Sequence, residues 1–165
     1  MSVESEAIAA ARQLEVDGLQ FFEEKAETTP GRIIKELFKS LAADEKKHIQ
    51  WLDDLAPGVS DAATANRELL GQLKEVFSSE TASEGLKAAT SDVEILDLAI
   101  SLEQKTADVY TDWATNQTDD KVKALGKVLA GQELFHKQLL ENTKQFLEKP
   151  GNWFMQEERW NFEGG

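Results

Sequence analysis

The chain repeats itself. Glu15 and Glu103, Glu45 and Glu133, and His48 and His136 each stand 88 positions apart. The correspondence extends to apolar positions: Leu14 answers Leu102, Phe22 answers Tyr110, Leu37 answers Leu125, Leu41 answers Leu129 and Leu52 answers Leu140. Each copy contains two amphipathic stretches of helical period, so the repeating unit is a helical hairpin. Such a hairpin cannot bury its apolar face alone. Two copies related by a pseudo-twofold axis would form one core with a symmetric interior.

Ala, Leu, Glu, Lys and Gln fill the long stretches between only three prolines, which favours helix throughout. With 165 residues, 41% of them hydrophobic, the chain is long enough for one core and short for two. The first helix is expected from about Val3 to Ala26, stopping at Thr28-Thr29-Pro30-Gly31. Thr29 is the expected N-cap of the second helix, with Pro30 in its first position, where a missing N–H costs nothing. That helix should run to about Leu55. A long crossover, about 56–90, follows; it is rich in Ala, Ser and Thr and carries one amphipathic stretch, Asn66 to Phe77. Ser91-Asp92-Val93-Glu94 has capping-box spacing and opens a third helix reaching about Ala114. Thr118 is the expected cap of the fourth, which Lys149-Pro150-Gly151 ends. Short, long and short connections predict an all-α, ferritin-like four-helix bundle over residues 1–150. The remaining 151–165 form a tail with Trp153, Phe154, Trp160 and Phe162, expected to pack on its own bundle or on a dimer partner.

The polar residues within the apolar stripes carry the chemistry. The second helix reads Ile34, Phe38, Leu41, Glu45, His48, Leu52, Leu55, in steps of four and three. The fourth reads Val122, Gly126, Leu129, Glu133, His136, Leu140, Thr143. The first and third give Ile8, Ala11, Glu15, Gly18, Phe22 and Leu96, Ala99, Glu103, Thr106, Tyr110. One carboxylate per helix therefore points inward. Both histidines of the chain lie three residues after a glutamate, a spacing that aims carboxylate and imidazole from one helix face at one point. Even one unpaired buried ion costs several kcal/mol, and no Lys or Arg occupies the centre of these stripes. Cations must come from outside. Carboxylate and imidazole without thiolate suit iron, manganese or zinc, and two carboxylates per helix pair with two Glu-x-x-His motifs is the ligand set of di-iron carboxylate bundles.

The formal net charge of −13 opposes binding to nucleic acid or anionic lipid, and no apolar run approaches the roughly 20 residues of a membrane span. The absence of cysteine removes disulfides, thiolate metal sites and thiol catalysis. Without a basic, apolar leader at Met1 to Ala11, a cytoplasmic location is expected.

In these six residues and their repeat, the chain resembles the rubrerythrin branch of the ferritin-like superfamily from about Val3 to Lys149. The resemblance implies a centre of two Fe ions in which Glu45 and Glu133 bridge, while Glu15 with His48 and Glu103 with His136 are terminal ligands. It also implies a role in oxidative stress. Tyr110 is a candidate hydrogen-bond donor to a ligand carboxylate. Two departures stand out. Rubrerythrins proper carry a C-terminal rubredoxin domain with four cysteines; here an external electron-donor protein would be needed. They also carry a further carboxylate one turn after a terminal glutamate, where this chain has Thr106 and, in the other half, Gly18.

The expected function is a di-iron oxidoreductase that reduces dioxygen or hydrogen peroxide, acting as peroxidase or ferroxidase, in a homodimer. The alternative is iron storage in a large hollow assembly. A metal-free interaction bundle is the third reading.

Overall fold

A computed structural model of the chain describes residues 3–56 and 91–149. They form four helices: α1 (Val3–Thr28), α2 (Arg32–Leu55), α3 (Asp92–Asn116) and α4 (Asp120–Glu148). α1 packs along α2 and α3 along α4, and the two hairpins meet with α2 beside α4, giving a ferritin-like four-helix bundle. Among the described residues no helix is long and apolar enough to cross a membrane. The crossover with its Asn66 to Phe77 stretch and the aromatic tail lie outside the described residues.

The inward stripes form the core as their period requires. Leu41, Leu52, Leu129 and Leu140 are fully buried, and so are Ala11, Leu96 and Ala99. Only the last members of two stripes, Leu55 and Thr143, are partly exposed. In the first hairpin Phe38 meets Phe21 and Phe22, with ring centroids 6.4 and 5.6 Å away. In the second, Gly126 occupies the position equivalent to Phe38. A Cβ there would stand 3.1 to 3.2 Å from the backbone and Cβ of Ala114, so glycine is what lets α3 and α4 approach. Trp113, 1% exposed, fills the volume nearby on α3, and its ring lies 5.9 Å from that of Tyr110.

The Ser91 capping box forms as its spacing predicts, with the Ser91 hydroxyl accepting from the Glu94 amide and the Glu94 carboxylate accepting from the Ser91 amide. Two other caps differ from expectation. Thr29 does not cap α2: its amide donates to the Lys25 carbonyl and so completes α1, which runs on to Thr28. Gly31, in extended conformation, is the N-cap, without a side-chain bond. At α4 the cap is Asp119, not Thr118; its carboxylate accepts from the amides of Lys121 at 2.8 Å and Val122 at 3.2 Å. An ionised acceptor at the positive end of a helix is stronger than a hydroxyl, and the register follows the stronger cap.

Candidate metal centre

Each helix delivers one glutamate to the middle of the bundle. Glu15 on α1, Glu45 on α2, Glu103 on α3 and Glu133 on α4 are 1 to 3% exposed, while His48 and His136 are fully buried. The six side chains sort into two overlapping groups of four. Glu15, Glu45, His48 and Glu133 offer ligand atoms all within 4.8 Å of one another, and so do Glu45, Glu103, Glu133 and His136. Glu45 and Glu133 belong to both groups. The structure thus brings together all six residues singled out in the sequence, in two sets of three carboxylates and one imidazole.

Both imidazoles turn Nδ1 toward the carboxylates. Nδ1 of His48 lies 3.1 Å from Glu15, 3.1 Å from Glu133 and 3.3 Å from Glu45. Nδ1 of His136 lies 3.3 Å from Glu45 and 3.7 Å from Glu103. The two rings stack with centroids 5.5 Å apart. Close approach does not amount to satisfaction. Among the described residues, Oε1 of Glu45, Oε2 of Glu103, Oε1 of Glu133 and Nδ1 of His136 are buried without a hydrogen-bond partner. Unsatisfied buried acceptors, converging on shared points, are what a pair of cations would relieve.

The electrostatics of the protein alone point the same way. Burial pushes Glu15 up to about 8, reinforced by the charge of Glu45. Burial likewise raises Glu103 and Glu133 well above the ordinary carboxylate range, Glu133 further through the charge of Glu103. Glu45 is the exception: burial pushes it up, but its close polar contacts with Glu15, His136 and His48 outweigh that and leave it low. Burial opposes a charge on His48 and His136, yet their carboxylate neighbours prevail and raise both. The cluster therefore attracts positive charge, as protons where nothing better is supplied. Its donors, carboxylate oxygen and imidazole nitrogen without sulfur, fit iron, manganese or zinc.

A model of the rubrerythrin family matches residues 6–144 of the chain. The chain belongs to the rubrerythrin family. No curated protein and no solved structure matches it. Rubrerythrins typically bind a di-iron centre, and the buried carboxylate and histidine cluster of this family member could hold one.

Two neighbours distinguish the ends of the cluster. Tyr110, fully buried on α3, donates its hydroxyl hydrogen bond to Oε1 of Glu15 across the bundle. Burial, and then the charge of Glu15, raise this phenol well above its ordinary value, so it keeps its proton and remains a donor. Its equivalent in the first hairpin is Phe22, which has no hydroxyl to offer Glu103. At the other end, Oδ2 of Asp44 lies 3.3 Å from Nε2 of His136. Nε2 of His48 has no such partner among the described residues, and the position equivalent to Asp44 is Gln132. Asp44 escaped the sequence reading because it sits at the edge of the stripe, a quarter exposed. Its one signal was a carboxylate immediately before the Glu-x-x-His motif on one helix only.

Against the carboxylates lies a small pocket whose apolar lining includes Leu14, Phe21, Phe22 and Leu102. Gly18 and Thr106 complete it on the α1 and α3 sides. The Thr106 hydroxyl donates to the Leu102 carbonyl at 3.0 Å, so its polarity is spent within its own helix. No carboxylate beyond the four glutamates lines this pocket among the described residues.

Proposed function

We propose that the chain is a di-iron oxidoreductase that reduces dioxygen or hydrogen peroxide with electrons from an external donor protein or from ferrous iron itself. Glu45 and Glu133 would be held in common by the two irons, with Glu15 and His48 completing one subsite and Glu103 and His136 the other. The observation that carries this reading is the overlap of the two four-residue groups at those two glutamates. When bound, iron would supply the redox chemistry, the chain having no cysteine thiol to do so.

The residues divide the remaining work. The four helices hold the donors rigidly and exclude bulk water, which strengthens every charge interaction inside. Tyr110 fixes the orientation of Glu15 through its hydroxyl. Asp44 holds Nε2 of His136, which leaves Nδ1 turned toward Glu45 and Glu103. The apolar pocket beside Gly18 and Thr106 suits a small neutral oxidant and disfavours a bulky or charged organic substrate.

The test is anaerobic loading with ferrous iron, followed by dioxygen in one sample and hydrogen peroxide in another. Two irons retained per chain and rapid ferric absorption with either oxidant are expected. Retention of many more irons per chain in a particle of very large mass would favour storage. Failure to retain iron, with no absorption change, would defeat the oxidoreductase reading.

A further inference from the structure

A cation bound at Nδ1 of an imidazole fixes the ring proton on Nε2, so each half of the cluster needs an acceptor behind its histidine as well as carboxylates in front of it. The two halves differ there. Behind His136, Oδ2 of Asp44 lies 3.3 Å from Nε2, and Oδ1 of the same carboxylate accepts from Nζ of Lys47 at 2.6 Å. Asp44 is thus held at both oxygens, by lysine on the outside and by imidazole on the inside. The repeat puts Gln132 and Phe135 where Asp44 and Lys47 stand, so the second hairpin returns no matching carboxylate to His48. Nε2 of His48 is buried without a partner among the described residues, and the ring of Trp51 stands beside the imidazole with centroids 5.3 Å apart. An N–H fixed on that nitrogen by a cation would have no acceptor, a cost that His136 does not bear.

The glutamates differ in the same direction. Oε1 of Glu15 accepts the hydroxyl of Tyr110, whereas Phe22 occupies the position from which a second tyrosine would serve Glu103. Oε2 of Glu103 is buried without a partner among the described residues. A carboxylate already engaged by a phenol has fewer lone pairs to give a cation than one with nothing else to bind. Glu45 and Glu133 belong to both halves and favour neither.

We infer that the two halves fill in a fixed order: the first divalent cation is held by Glu103 and His136, and the half built from Glu15 and His48 fills second. Asp44 is the positioning residue that sets this order, acting through His136. The inference rests on the two-metal reading of the cluster and adds to it a defined half-loaded form of the protein.

With only two histidines in the chain, nitrogen NMR of full-length protein labelled at histidine follows each half by its own imidazole signals, assigned in metal-free protein with His48→Gln. Zinc is the probe, because the same donors accept it and it has no redox chemistry. As zinc is added to metal-free protein, the His136 signals are expected to move first and to be complete at one ion per chain, and the His48 signals to move only with the second ion. Asp44→Asn is expected to weaken the first binding step by about 10- to 100-fold and to spread the first ion over both histidines. Gln132→Asp, which copies the α2 residue, should strengthen the second step toward the first. Lost packing at position 44 would not by itself redistribute an ion between histidines. If Asp44→Asn fails to fold, the wild-type titration and Gln132→Asp decide. Movement of His48 first, movement of both histidines together from the first addition, or an unchanged order in Asp44→Asn would overturn the inference and leave the two-metal reading standing. No movement at either histidine would defeat both.

Discussion

The α1–α2 hairpin and the α3–α4 hairpin present the same triplet of two glutamates and a histidine at the same offset, yet they surround it differently. Phe38 becomes Gly126, Phe22 becomes Tyr110, and Asp44 becomes Gln132. Among the described residues, Glu15 accepts a hydrogen bond from Tyr110, while Oε2 of Glu103 has no partner. Among the same residues, His136 is backed by Asp44, while Nε2 of His48 is unpartnered. The two triplets are kept alike, as the proposed pair of equal cations would require in charge and donor number. The neighbours are free to diverge, since packing volume can be traded between helices: α3 approaches α4 at Gly126 and fills the core with Trp113, while α1 and α2 are held apart by three phenylalanines. The two subsites are thus matched in charge and unmatched in support.

The strongest challenge to that comparison is removal of a shared against an unshared ligand. Glu45→Ala or Glu133→Ala should abolish retention of both irons, and Glu15→Ala or Glu103→Ala should leave about one per chain, measured by metal analysis after anaerobic loading and desalting. Equal losses in all four would show that the pair in the middle is not shared.

Next comes the charge of the cluster itself. Glu15, raised to about 8 from an ordinary 4.5, stabilises the metal-free fold fully below about 4.5 and loses that contribution as pH rises through about 8. The raised His48 and His136 act with the same sign. Glu45, held low, acts oppositely and is lost on the acid side. The melting temperature of metal-free protein should therefore fall between pH 5 and pH 9, by something of order 10 °C. Iron-loaded protein should be nearly flat over the same range, its carboxylates being neutralised by metal. A metal-free protein that gains stability with pH would contradict the buried placement of these groups.

Packing predicts a smaller contrast. Phe38→Ala should cost about 3–5 kcal/mol as a cavity in the first hairpin. Gly126→Ala should cost about 1–3 kcal/mol through overpacking against Ala114, both read by denaturant unfolding. The smallest effect is expected behind the histidine: Asp44→Asn should weaken metal affinity by about 10- to 100-fold, and Gln132→Ala should change it little, as seen by chelator competition. If the two behave alike, the hairpins are equivalent in support after all.

Much of this was open to a reader of the residues alone. Periodicity places Glu15, Glu45, His48, Glu103, Glu133 and His136 on inward stripes, because 3.6 residues per turn fixes which side chains share a face. The repeat then matches them in pairs, and the cost of burying acid groups calls for cations. Helix ends were less legible: whether Thr29 or Gly31, Thr118 or Asp119, takes a cap depends on competing local bonds one residue apart. Contacts between helices were not legible. That Tyr110 reaches Glu15 rather than Glu103, or that Asp44 stands behind His136, depends on how far each helix is rotated and slid against the next. Large and small side chains such as Phe38 and Gly126 set that register, and only the packed bundle brings their volumes together. Residue pattern alone implies the bundle and its acidic, histidine-bearing interior; which neighbour supports which glutamate or histidine follows from how the helices pack.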